Sequence, residues 1–176
     1  MDHSQYSQYY IRDILNAVHT IAIVGASQNQ FRPSYMAMMY MQQKGYRAIP
    51  INPGLAGQEI RGEKVFGSIS EVDVPIDMVD IFRNAEAAGQ ITDEALTLSP
   101  LPKVIWMQLT IINHEAAQRA EAAGLKVVMN RCPKMEYAKL CGEWGWMGAN
   151  SGRITARRGT ITGDRIQSLG ISKAVS

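Results

Sequence analysis

The chain is poor in the residues that mark several protein classes. Its two cysteines, Cys132 and Cys141, are too few and too isolated for a disulfide framework. They read as reduced thiols of a cytoplasmic protein. Histidine is as scarce. His3, His19 and His114 are scattered and lie far in sequence from both cysteines, so no metal-ligand cluster is visible. No apolar run approaches the roughly 20 residues that cross a bilayer. The start, Met1-Asp2-His3-Ser4-Gln5, lacks the charged-then-apolar plan of a signal peptide. A net charge of +2 is too small to imply nucleic acid, whose partners carry a concentrated basic face. A phosphate loop of the Walker type is missing too, because no Gly-Lys-Ser/Thr follows the first apolar run.

What remains is an ordinary globular composition, 46% hydrophobic and 19% charged over 176 residues. That length fits one domain and buries a sizeable core without staples. Ile11, Ile14, Leu15 and Val18 recur at helical spacing and predict a lead-in helix over residues 5–19. Apolar runs then predict strands at Thr20–Val24, Tyr46–Ile51, Met78–Phe82, Lys103–Met107 and Lys126–Met129. One or two short strands are expected within 57–66, and a helical turn at 70–72. Helices are expected from about Ser34 to Lys44, Ala85 to Leu96 and Asn113 to Ala123. Ser34 and Asn113 are the predicted N-caps, and Gly45 and Gly124 the stops. The methionines of the second helix (Met36, Met38, Met39 and Met41) read as adaptable packing rather than a ligand surface.

Strands alternating with helices predict an α/β, Rossmann-like, doubly wound and mostly parallel sheet with helices on both faces. Such sheets bind ligands at the carboxyl ends of their strands, near the topological switch point. The loops that converge there begin at Gly25, Asn52, Arg83, Gln108 and Asn130. This domain is expected to span residues 1–141. Residues 142–176 read as a glycine-rich basic tail, carrying Arg153, Arg157, Arg158 and Arg165, solvated rather than bound to nucleic acid.

The most telling stretch is Ile21-Ala22-Ile23-Val24-Gly25-Ala26-Ser27, then Arg32-Pro33-Ser34 and an apolar helix. A strand, a short loop and a helix N-terminus present backbone N–H groups and a positive dipole end to a phosphate. A nicotinamide dinucleotide is the first candidate, and the residues argue against it twice. Ser27 and Gln30 stand where the dinucleotide fingerprint needs glycines, and Asn52 stands where it needs an acid for the ribose diol. An NAD(P)-dependent oxidoreductase with a degenerate fingerprint remains the alternative reading. No nucleophile with a recognisable base stands out, and no catalytic residue is assigned.

Six motifs occur in one order: Gly25-Ala26-Ser27, Arg32-Pro33-Ser34, Pro50-Ile51-Asn52-Pro53, Val79-Asp80-Ile81-Phe82-Arg83, Trp106-Met107-Gln108 and Asn130-Arg131-Cys132-Pro133. Together they resemble the small stand-alone CoA-binding proteins of bacteria and archaea. Their domain is similar to the N-terminal CoA-binding domain of the succinyl-CoA synthetase α subunit. The resemblance covers about residues 10–140. It implies a binder of coenzyme A or acyl-CoA, without the synthetases' catalytic machinery; the isolated thiols and the lack of a long apolar run place it in the cytoplasm and off the membrane. It leaves a homodimer or an unknown protein partner open.

The same resemblance implies residue roles. Gly25, Ala26 and Ser27 would lie against the pyrophosphate with backbone N–H groups as donors. Asn52 and Pro53 would border the adenosine. Phe82 and Arg83 would end the strand beside the nucleotide, and Gln108 with Asn130, Arg131 and Cys132 would lie nearer the pantetheine arm. CoA also carries a separate 3′-phosphate, which calls for fixed cations. Arg32 and Arg83 are the candidates, since guanidinium groups suit bidentate phosphate contacts. The Cys132 thiol reads as a small buried residue before it reads as a redox group. Asp80, in an apolar run, is either a buried structural acid or points along the cleft.

Overall fold

A computed structural model describes residues 1–142 of the chain. The basic tail expected at 142–176 lies, apart from Gly142, outside the described residues.

The first element, α1 (Gln8–Ala17), starts where the Ser7 side chain accepts the Tyr10 N–H, and it buries Ile11, Ile14 and Leu15. Five parallel strands follow in the chain: β1 (Thr20–Val24), β2 (Arg47–Ile51), β5 (Met78–Ile81), β6 (Val104–Met107) and β7 (Lys126–Val128). They lie in the order β2-β1-β5-β6-β7. A small antiparallel hairpin, β3 (Glu59–Ile60) and β4 (Glu63–Lys64), stands apart from this sheet.

Alternation along the strands sorts two cores. Ile21 and Ile23 of β1 face α1, α2 (Pro33–Gln43) and α5 (Pro133–Leu140), in one cluster with Met38, Met41, Trp106 and Leu140. Ala22 and Val24 face α3 (Ala85–Ala95) and α4 (His114–Ala122), in a second cluster with Ala88, Ala117 and Ala120. Small alanines let these two helices sit close on the sheet. The result is the Rossmann-like, doubly wound arrangement with helices on both faces.

Two boundaries differ from expectation, and proline explains both. α2 begins at Pro33 with Arg32 in the cap position, so Ser34 lies inside the first turn and is not the N-cap. Proline suits the first helical position and forces the residue before it into an extended conformation. The same X-Pro signal at Cys132-Pro133 opens α5, a helix the periodicity did not reveal. Elsewhere β1 stands as predicted, the helical turn lies at Ile69–Glu71, and the other predicted elements shorten by a residue or a few at their ends.

Both sheet edges are closed. On the β2 side, Phe66 donates its N–H to the Pro50 carbonyl (3.1 Å) and accepts from the Asn52 N–H (2.9 Å). On the β7 side, the Tyr10 hydroxyl pairs with both the N–H and the carbonyl of Val127 (3.2 Å each), and the Tyr6 hydroxyl accepts the Met129 N–H (2.7 Å). Covered edges prevent strand-to-strand association.

Candidate functional site

The chain leaves β1 in one direction, to β2, and reaches β5 on its other side, so the switch point lies between β1 and β5. Gly25 sits at that point with φ +89°. A Cβ there would come within 3.1 Å of the Phe82 carbonyl oxygen and 3.1 Å of Arg83 Cδ. Only glycine adopts this backbone freely while leaving the gap between the two strand ends open. Gly25→Val is expected to lower the melting temperature by several degrees and to abolish ligand binding at this loop; a variant that melts and binds normally would remove the loop from the site.

The β1 loop is braced internally. The N–H groups of Gly25 and Ala26 both donate to the Ile51 carbonyl (2.9 and 3.2 Å). Ser27 Oγ accepts the Asn29 N–H (3.1 Å), and Asn29 Oδ1 accepts the Phe31 N–H (2.9 Å). Hence the donors expected from Gly25 and Ala26 are already engaged. The Ser27 N–H makes no hydrogen bond among the described residues, and further free donors lie at the start of α2. Pro33 has no N–H, no side chain caps the helix, and the Met36 N–H donates to the Arg32 carbonyl (3.1 Å). That leaves the N–H groups of Ser34 and Tyr35 at the positive end of the helix.

Asn52 joins the β1 and β2 loops. Its Nδ2 donates to the Ala26 carbonyl (2.7 Å) and its Oδ1 accepts the Gly54 N–H (2.9 Å), which starts the turn Pro53–Leu55. Across the switch point, the Phe82 N–H donates to the Val24 carbonyl (2.8 Å) and its ring packs on the α1-side core.

On the β6 and β7 side, Gln108 follows the last residue of β6 and is 5% exposed; its Nε2 donates to both carboxyl oxygens of Asp80 (3.0 and 3.1 Å). Asp80 is wholly buried, and burial pushes its pKa up to about 8 despite the Gln108 hydrogen bond. Of the two roles open to Asp80, the structure gives it the buried, hydrogen-bonded one.

Asn130 (φ +54°) accepts the Thr110 N–H on Oδ1 (2.8 Å), and Thr110 itself has φ +69°. A β-branched residue in that region is rare, so this clasp between the β6 and β7 loops holds a strained backbone. Arg131 is tied inward. Its guanidinium donates to the carbonyls of Asn130 (2.8 Å) and Ser4 (3.4 Å), lies over the Tyr6 ring and faces Glu136 at 3.7 Å. Its own carbonyl accepts Trp106 Nε1 (2.8 Å). Cys132 is buried; burial raises its thiol pKa, while the N–H groups of Met135 and Lys134 pull it the other way.

The structure thus brings Gly25, Ala26, Asn52, Phe82 and Arg83 together at the switch point, and Gln108, Asn130, Arg131 and Cys132 at the neighbouring strand ends. Arg32, Pro33 and Ser34 stand at the mouth of α2, and no contact ties Arg32 to Arg83. Sequence reasoning missed the Asp80–Gln108 pair and Thr110, and the mixed apolar turn Leu109-Thr110 after β6 gave no signal for the second. Among the described residues no group of His, Cys, Asp and Glu is arranged to hold a metal. None of the described helices is long and apolar enough to cross a membrane.

A parallel sheet with a glycine loop, an uncapped helix N-terminus and arginines at its switch point defines a Rossmann-like nucleotide-binding domain. The chain belongs to the CoA binding domain family, which matches residues 19–138. It is 38% identical over 133 residues to the uncharacterized protein YneT of Bacillus subtilis, covering 75% of this chain and 95% of that one. A hypothetical protein of Pyrococcus horikoshii OT3 superposes with a TM-score of 0.72 at 31% identity, over 80% of this chain and 99% of that one. The dinucleotide-forming acetyl-coenzyme A synthetase 1 of Ca. Korarchaeum cryptofilum shares the fold (TM-score 0.55, 21% identity), over 65% of this chain and 26% of that enzyme.

Proposed function

We propose that this chain holds coenzyme A or an acyl-CoA at its strand ends and performs no chemical step of its own. The observation that carries this reading is the state of the arginines. Arg12, Arg47, Arg61, Arg119 and Arg131 each engage an acid, an amide or a carbonyl within the fold. Arg32 and Arg83 are exposed, and their guanidinium groups make no hydrogen bond or ion pair among the described residues. Both stand at the carboxyl edge of the sheet, one at the start of α2 and one beside Gly25. Two free guanidinium groups next to unpaired helix N–H groups suit a ligand with a pyrophosphate and a further phosphate. CoA has both, and the family match supports it over other nucleotides. On this reading residues 1–141 are the ligand domain and the basic tail is an adjunct to it.

Thermal melting with CoA, dephospho-CoA, NAD, NADP and ATP side by side tests the proposal. A ligand at about 100 times its Kd stabilises by about 2.7 kcal/mol, which moves the melt by several degrees. CoA is expected to give the largest shift and dephospho-CoA a smaller one. Arg32→Ala and Arg83→Ala are each expected to weaken CoA binding by roughly 1–3 kcal/mol while leaving the ligand-free melt unchanged. A larger shift with NAD than with CoA would overturn the reading in favour of a redox enzyme.

A further inference from the structure

The Asp80–Gln108 pair does something that burial alone does not require. Asp80 stands opposite Ile23 of β1 and Trp106 of β6 in the sheet register. Gln108 lies two residues beyond Trp106, so its side chain emerges on the same sheet face, diagonal to Asp80. Both hydrogen bonds between the pair use the same amide nitrogen, Nε2. A primary amide has one donor end and one acceptor end, and turning one inward turns the other outward. The side-chain oxygen of Gln108, Oε1, makes no hydrogen bond among the described residues. Nor is it sealed in the core as a buried unsatisfied atom. It therefore reaches solvent from a side chain that is otherwise buried, at the carboxyl end of β6 and next to the switch-point strand.

We infer that Asp80 is a positioning residue: it fixes the Gln108 amide with its carbonyl oxygen toward the strand-end cleft, making an acceptor for an N–H or S–H donor on the uncharged arm of the ligand. The inference rests on the CoA reading above. The phosphate-binding features, Arg32, Arg83 and the start of α2, lie at β1 and β5. Gln108 is uncharged, and its chain neighbours Leu109 and Ile112 are large, apolar and exposed. That combination fits the pantetheine arm, whose two amides and terminal thiol supply donors on an otherwise apolar chain. Glutamine alone does not choose which end to present, since either end can meet water. Once ionised, above about pH 8, Asp80 only accepts, so it takes the N–H end of the amide and leaves the oxygen outward.

The test separates the arm from the phosphates. CoA and adenosine 3′,5′-bisphosphate share the nucleotide, and only CoA has the arm. Affinities of both are measured by calorimetry for the wild type, Asp80→Asn and Gln108→Met, at about pH 9, above the value of about 8 at which Asp80 ionises. Asparagine has nearly the size of the acid but pairs with either end of the Gln108 amide, so the preference is lost. Methionine removes the acceptor and keeps the volume, and it stands in should the Asp80 variant fail to fold. Each variant is expected to weaken CoA by about three- to tenfold and to leave the bisphosphate within about twofold. Equal weakening of both ligands would make the pair merely structural and overturn the inference. Unchanged CoA affinity in both variants would overturn it too. A wild type that does not bind CoA would fail the functional reading itself and this inference with it; a wild type that binds CoA with no split between ligands would sink the inference alone.

Discussion

A chain lacking residues 1–18 is expected to lose its fold, although the family match begins only at residue 19. Ile11, Ile14, Leu15 and Val18 are no more than 2% exposed and belong to the α1-side core. Burying each such side chain contributes roughly 1.5–3 kcal/mol, so the four together rival the whole stability of a small domain, about 5–15 kcal/mol. The deletion also removes Tyr6 and Tyr10, whose hydroxyls satisfy Val127 and Met129 along the β7 edge. An opened edge strand pairs with other chains. Circular dichroism should show a melt lowered by far more than ten degrees or none at all, and size-exclusion chromatography should show aggregates. A monomeric deletion variant with a melt within a few degrees of the wild type would show that α1 is an ornament on a self-sufficient domain. Tyr10→Phe is the finer probe, because it keeps the ring on the core and opens only the Val127 pair.

The same segment shows what a local reading of sequence reaches and where it stops. The α1 helix announces itself through spacing, and β1 through an unbroken apolar run, so Thr20–Val24 was legible to the residue. The Asn113 cap was equally plain, since Asn followed by a helical pattern offers its oxygen to the Ala116 N–H. By contrast, α5 has charged, aromatic and apolar residues with little periodicity, and only Pro133 at its first position marks it. The long crossover from β2 to β5 carries no α-helix at all. It covers the sheet with Phe66, Ile69, Val72 and Val74 instead, a packing solution without periodicity.

The candidate site divides in the same manner. Its loops follow from the strand order, so their location was legible before any contact was known. Their internal wiring was not. Gly25 is a turn glycine in the sequence, but the reason no side chain fits there is the Phe82 carbonyl, 57 residues away. Arg131 reads in the sequence as part of the loop nearer the pantetheine arm, and its ties to Ser4, Tyr6 and Glu136 appear only in the fold. Such pairings are tertiary, and no spacing rule predicts them.

The largest effect at a single position is expected from pH at Asp80. In the unfolded chain this carboxyl ionises near its ordinary value of 3.8, whereas in the fold burial holds the proton on to about pH 8. Between those values the folded state binds one proton more than the unfolded state. Stability then falls as pH rises, by about 1.4 kcal/mol per pH unit, and stops falling above about pH 8. Asp77 and His3 are among the shifted groups that act with the opposite sign. Asp77 is raised by burial but lowered more by Lys103 and the N–H groups of Thr20 and His19, so its contribution disappears only below its depressed pKa, under the Asp80 window. His3 is lowered by burial, and its protonation costs stability below its ordinary 6.5. Subtracting the curve of Asp80→Asn cancels both, since that variant keeps them. The melting temperature of the wild type relative to Asp80→Asn is therefore expected to drop on the order of ten degrees between about pH 5 and pH 8, and then to level off. Parallel curves would mean that the carboxyl ionises in the fold as it does in water. The Gln108 amide would then face a carboxylate at every physiological pH, and the acceptor turned toward the cleft would be a permanent feature of the site rather than one set by the Asp80 proton.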